Sequence, residues 1–134
     1  GMGPERIMMG TILLDTDILV DFLRGYNKAE AFIAAQADRI ILSAIVVAEL
    51  YAGVKGEAEQ EALDALVSLF RIVPVDVEIA KAGGLYQRDY GKSHGVGLAD
   101  AILAATADAW KAELKTLNIK HYPMLKGLRP AYTK

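Results

Sequence analysis

Short apolar runs alternate with helix-like segments along the chain, and this alternation restricts the possible folds more than any other feature. MMGTILL, RIIL and RIVPV are apolar stretches of strand length, and ELKTL reads as a last strand. A strand that is apolar at both alternating positions has to be covered on both faces, which a parallel sheet between helices provides. Strands are therefore expected at about residues 8–14, 39–42, 71–75 and 113–117. Helices are expected in ILVDFLRG, ended by Gly25, at about residues 28–37, and in AIVVAELYAGV, closing near Gly53. Further helices are expected in GEAEQEALDALVSLF, where Leu63, Leu66 and Phe70 share a face, in VEIAKAGGLYQRDY and in the alanine-rich LADAILAATADAW. Ser43 and Asp76 are placed as helix caps and GKSHGVG as a loop.

No linker, repeat or low-complexity tract divides the 134 residues, so a single domain spanning 1–134 is expected. Gly1 ahead of Met2 reads as a tag remnant, with residues 1–7 a flexible N-terminus. The chain has no cysteine, which excludes disulfides and thiolate metal sites. Its apolar runs are too short to span a membrane and it shows no signal peptide, so a cytoplasmic protein is expected. The formal net charge of −2 argues against a protein that coats nucleic acid electrostatically. The charge is uneven, however: residues 111–134 carry +5 and the remainder −7. The basic end is a solvated surface or, in the sharper reading, a contact for an RNA backbone.

Three acids stand where chemistry is expected. In open parallel sheets the ligand site lies beyond the carboxyl ends of the strands, and Asp15 follows the first strand directly, as Ser43 and Asn118 follow others. Glu49 interrupts a helix with scarcely another polar residue, and burying it needs a positive partner. Asp100 lies in the first turn of an alanine-rich helix. Carboxylates brought together repel and their pKa values rise unless a cation intervenes. A hard ion such as Mg²⁺ accepts oxygen ligands, and it suits phosphodiester hydrolysis because it polarises a phosphoryl oxygen and lowers the pKa of a water. HExxH and GxxxxGK[ST] motifs are absent, and His94 and His121 are the only histidines.

Each residue also has a plainer reading. Asp15 and Asp17 can cap the following helix, Asp100 can complement a helix dipole, and Glu49 can be an exposed acid. Asp17 leans toward the cap, and Asp21 reads as a solvated acid. Asp108, about 12 Å along the helix from Asp100, is too far to share a metal. Thr16, Ser43 and Thr116 either hold the carboxylates or satisfy element ends. His94 reads as a loop residue and His121 as polar surface or a substrate neighbour. Tyr51, Tyr86, Tyr90 and Trp110 read as core or interface.

LLDTDILVDFLRG, SAIVVAELYAG, GVGLADAILAATA and LKTLNIKHYPML resemble, in order, the successive blocks of PIN-domain proteins, in particular VapC-type toxins of toxin–antitoxin pairs. The resemblance implies a three-layer α/β/α sandwich with a central, mostly parallel sheet, and a Mg²⁺-dependent endoribonuclease in which Mn²⁺ substitutes. It further implies a VapB-like antitoxin partner and a homodimer. It places the metal-site acids on Asp15, Glu49 and Asp100. Asn118 stands where many relatives carry a fourth acid, and His121 where some carry another. Three carboxylates neutralise one divalent ion with −1 to spare, so one firmly held metal is expected. Two rivals are a haloacid-dehalogenase-like phosphatase, for which DTDILV supplies the turn but no downstream acidic pair follows, and a non-catalytic PIN-like binding domain.

Overall fold

The computed structural model describes residues 10–134. The expected tag remnant and N-terminal stretch, 1–7, and the first residues of the strand expected from about residue 8, lie outside the described residues.

Four strands and six α-helices form in these residues. Strand β1 (Thr11–Leu14) leads into α1 (Thr16–Leu23) and α2 (Asn27–Gln36), and a 3₁₀ turn (Ala37–Arg39) precedes β2 (Ile40–Ser43). Helices α3 (Ala44–Ala52) and α4 (Gly56–Val67) then lead to β3 (Arg71–Val73). Helices α5 (Val77–His94) and α6 (Leu98–Trp110) precede β4 (Ala112–Lys115), and a second 3₁₀ turn (Ile119–His121) follows. The sheet order is β3-β2-β1-β4 and every pairing is parallel. Ile12 lies opposite Ile40 on one side and Glu113 on the other, so β1 is central. This is the expected α/β architecture, helices with a central parallel sheet.

Burial on both faces explains the unbroken apolar runs. Ile12, Leu13 and Leu14 are all buried, as are Ile40, Ile41 and Leu42. Each such side chain contributes roughly 1.5 to 3 kcal/mol on leaving water. Ile18 and Leu19 of α1, Val46 and Leu50 of α3, Leu63 and Leu66 of α4, and Leu103 and Ala104 of α6 complete the same core. The edge strands are less apolar: β3 is exposed at Arg71 and Ile72, and β4 reads AELK. No helix among the described residues is long and apolar enough to cross a membrane.

The caps fall as expected. The Ser43 hydroxyl accepts from the Ile45 amide at 3.1 Å and the Asp76 carboxylate from the Ile79 amide at 2.9 Å, each satisfying an otherwise unpaired N–H. Two expectations need correcting. GKSHGVG is not a loop throughout, because α5 runs through Lys92 and Ser93 to His94 and stops at Gly95, whose φ of 64° a helix cannot continue. Buried Val96 pins the remaining short connection. Asp21 is not a solvated acid: it is buried, accepts from the Tyr132 hydroxyl at 2.7 Å and pairs with the Lys134 ammonium at 2.9 Å. Burial alone would raise its pKa, but Lys134 and Tyr132 outweigh that and hold it below the usual carboxylate range. These partners come from the other end of the chain, beyond the reach of local patterning.

Helices α5 and α6 meet closely at Gly83. A Cβ there would lie 2.8 Å from Ile102 Cγ1 and 2.9 Å from its Cα, whereas one at the neighbouring Gly84 would meet nothing. Gly83→Ala is therefore expected to lower the melting temperature, because overpacking against backbone costs about 1 to 3 kcal/mol and exceeds the helix-propensity gain of about 1 kcal/mol. Gly84→Ala has only the gain and is expected to raise it by a few degrees; thermal denaturation of both variants checks the pair, and equal shifts would refute the close approach.

Candidate active site

The chain runs from β1 to β2 to β3 in one direction and then returns to place β4 on the other side of β1. A ligand crevice in an open parallel sheet lies at such a reversal, outside the carboxyl ends of the strands. The polar residues gather there. The Asp15 amide extends the β1–β4 ladder by donating to the Lys115 carbonyl at 3.0 Å, which fixes Asp15 at the strand end. Asp15 is only 5% exposed, beside a hydrocarbon core.

Four donor contacts meet the Asp15 carboxylate. Oδ1 accepts from the Thr16 amide at 2.7 Å and the Thr16 hydroxyl at 3.2 Å. Oδ2 accepts from the Thr116 hydroxyl at 2.9 Å and the Tyr122 hydroxyl at 2.6 Å. Asp15 is thus the residue that caps α1, and its cap and site readings coexist. Asp17 does something else. Its Oδ2 accepts from the Leu117 amide at 2.8 Å, from the Thr116 hydroxyl at 3.3 Å and from the Asn118 side-chain amide at 3.3 Å, so it ties the start of α1 to the chain leaving β4. Its Oδ1 bonds the adjacent Ile18 amide. Because the Thr116 hydroxyl has one proton, it serves Asp15 or Asp17 but not both at once.

Asp100, half-buried in the first turn of α6, faces Asp15 across Tyr122. The Tyr122 hydroxyl lies 3.2 Å from Asp100 Oδ1, and His121 Nδ1 lies 3.5 Å from Asp100 Oδ2. Glu49 is exposed on α3 and touches neither Asp15 nor Asp100 directly, yet it feels both charges. Partial desolvation first, then Asp15 and Asp100, push its pKa up. Burial and then the Asp15 charge push Asp100 up, against the Tyr122 hydrogen bond and His121. Burial and Asp15 also raise Asp17, although the Leu117 and Ile18 amides and the Thr116 hydroxyl oppose the shift. Tyr122 is itself raised, by burial and then by the two carboxylates it faces. Burial is thus the largest cause at Asp17, Glu49 and Asp100, and the charge of Asp15 adds to it at each of the three, as carboxylates held near one another without a counter-charge require.

The donor chemistry fits a hard divalent cation: carboxylate oxygens, hydroxyls and one amide, with no thiolate. Among the described residues no three acids or histidines close round one point as a ready ligand set. Asp15 and Asp100 converge on the Tyr122 hydroxyl, and Glu49 stands at the lip. Asn118 is exposed, and its side chain donates to Asp17. Asp108 is bonded to the Tyr86 hydroxyl, away from this cluster. Ser43 serves only its cap. Tyr122 escaped sequence reasoning, because a tyrosine in NIKHYPML gives no sign that its hydroxyl points inward. A groove of about 640 Å³ opens beside Glu49 and is lined by Thr16, Val20, Leu23, Arg24 and Leu50 among others.

Comparison with known proteins agrees with the block-by-block resemblance. The family model for the PIN domain matches residues 12–121. Ribonuclease VapC10 of Mycobacterium tuberculosis is 37% identical over 124 residues, covering 90% of this chain and 92% of the relative. Ribonuclease VapC19 of the same organism is 40% identical over 124 residues, covering 90% and 98%. A toxin–antitoxin complex from Klebsiella pneumoniae superposes with a TM-score of 0.78 at 27% identity, covering 91% of this chain and 98% of that one. VapBC2 from Rickettsia felis, bound to a DNA fragment from its promoter, gives 0.73 at 27% identity, covering 88% and 95%. The chain belongs to the PIN-domain family, among the VapC-type proteins.

Proposed function

We propose that this chain is a metal-dependent endoribonuclease, the toxin of a toxin–antitoxin pair, that hydrolyses RNA phosphodiester bonds with Asp15, Glu49 and Asp100 holding Mg²⁺ or Mn²⁺. One observation carries the reading: Asp15 and Asp100, from separate segments, converge on the Tyr122 hydroxyl at the reversal point of the sheet, with Glu49 at the lip feeling both charges, in a chain of the VapC kind. A bound divalent ion would supply the charge that this cluster lacks, polarise a phosphoryl oxygen and acidify a water. The side chains supply position and proton handling. Asp15 is held by its four contacts and keeps one geometry. Glu49, at the open lip with a raised pKa, is suited to take the proton of the attacking water. Asp17 and Asn118 brace the β4 end of the crevice.

The toxin–antitoxin complex from Klebsiella pneumoniae and VapBC2 from Rickettsia felis, both similar to this chain, support a VapB-like antitoxin as partner. The groove beside Glu49 offers apolar Val20, Leu23 and Leu50 for its helix, and a basic side chain of that partner would meet the acids in place of the cation. A homodimer doubles the basic end of the chain along a shared face, and the RNA it cuts places its action in the cytoplasm.

Two outcomes test the reading. Purified protein is expected to cut RNA with Mn²⁺ or Mg²⁺, and Asp15→Asn and Asp100→Asn to lose on the order of 10²-fold or more in rate. Undiminished cutting by either variant would sink it. The second outcome concerns pH. The folded chain favours protonated Asp17, Glu49 and Asp100, so their contribution to stability is full below about pH 4, the ordinary carboxylate value. It is lost as pH rises through their raised values. A cation offsets that loss only where the acids are ionised. Mn²⁺ about a hundredfold above its Kd is expected to raise the melting temperature by about 5 to 10 °C at pH 7.5 and by clearly less at pH 5. Equal increments at both pH values in a scanning calorimeter would contradict it.

A further inference from the structure

The Tyr122 hydroxyl is buried, and its one proton faces two carboxylates, Asp15 Oδ2 at 2.6 Å and Asp100 Oδ1 at 3.2 Å. We propose that Tyr122 is a positioning residue that stands in for the cation: its hydroxyl bridges Asp15 and Asp100 in the metal-free protein and competes with the metal for Asp15. This rests on the metal reading above and deepens it.

A carboxylate offers about four lone-pair sites, and four donor contacts address those of Asp15: the Thr16 amide and hydroxyl on Oδ1, and on Oδ2 Tyr122 together with Thr116 whenever the Thr116 proton is not on Asp17. A cation that reaches Asp15 therefore turns aside one of these hydroxyl donors. The Thr16 amide is fixed by the helix cap. The Thr116 hydroxyl also holds the Asn118 amide at 3.0 Å, which locks it into the β4 turn. Tyr122 alone contacts both Asp15 and Asp100, so a cation bridging the two would enter where its proton points. Its ring is anchored in the core, and the Tyr122 amide bonds the Ile119 carbonyl at 3.0 Å, so the side chain stays in place while its proton yields.

A hydroxyl that stabilises the empty cluster more than the loaded one holds the acids in register between catalytic cycles and weakens the metal's grip. Removing it has two effects of opposite sign, which loss of ordinary packing cannot produce. In Tyr122→Phe the metal-free protein is expected to melt about 2 to 5 °C lower, while Mn²⁺, followed by electron paramagnetic resonance, binds about three- to tenfold more tightly. In the wild type, Mg²⁺ titration is expected to shift the ring ¹³Cζ signal of Tyr122, identified among the six tyrosines by its absence from the variant. Unchanged or weaker Mn²⁺ binding in Tyr122→Phe overturns the proposal and leaves the metal reading intact, and so does a Tyr122 signal indifferent to Mg²⁺. Wild-type protein that binds no Mn²⁺ overturns both, and an Asp15→Asn control identifies binding at this cluster.

Discussion

A carboxylate on a residue only 5% exposed, at the end of a hydrocarbon-packed strand, is costly unless donors or a cation meet it. Asp15 is that carboxylate, and its requirements organise the molecule around it. Its donors come from Thr16 in the next helix, from Thr116 after the last strand and from Tyr122 beyond the final 3₁₀ turn. The two distant donors are in reach only because β4 pairs with β1 in the register that places Lys115 beside Leu14. The parallel sheet, the return of β4 to the free side of β1 and the closing turn are thus all needed to satisfy one side chain.

Hydrogen bonds satisfy lone pairs but leave the charge. Asp15, Glu49 and Asp100 together carry up to −3, and the donors that reach Asp15 are neutral amides and hydroxyls. His121, 3.5 Å from Asp100, is the nearest potential cation, and it stands at the exposed rim. Burial first, and then that excess, raises the pKa of Glu49 and Asp100, and protonation is how a cluster without a resident counter-charge lowers its own repulsion. A divalent ion removes the excess more completely than partial protonation does.

Much of this was legible in the sequence, and the part that was not has a common cause. Apolar runs announced strands buried on both faces, and the acid after the first run announced its position at the sheet edge, since both signals are local. The caps at Ser43 and Asp76 were legible for the same reason. What local pattern could not supply was pairing over a hundred residues: Asp17 with Leu117, Asp21 with Lys134, Asp15 with Tyr122. Each involves a side chain whose type fits several roles, and only tertiary closure chooses among them. The extent of α5 was misjudged for a different reason, because glycine content signals a loop although only Gly95, at positive φ, enforces one.

The contrast between Asp21 and the site acids shows that the uncompensated charge is a selective feature of the fold. Both lie near α1, and both are removed from water to some degree. At Asp21 the chain brings up Lys134 and Tyr132, and the pKa falls. At Asp17, Glu49 and Asp100 no ammonium or guanidinium makes such a contact among the described residues, and the pKa values rise. The chain has fifteen lysines and arginines to draw on. Pairing one of them with the cluster would relieve the repulsion, but it would also fill the place in which the proposed metal would sit. The repulsion left at the carboxyl edge of the sheet is therefore the interaction energy that a cation bound there, as proposed, would collect.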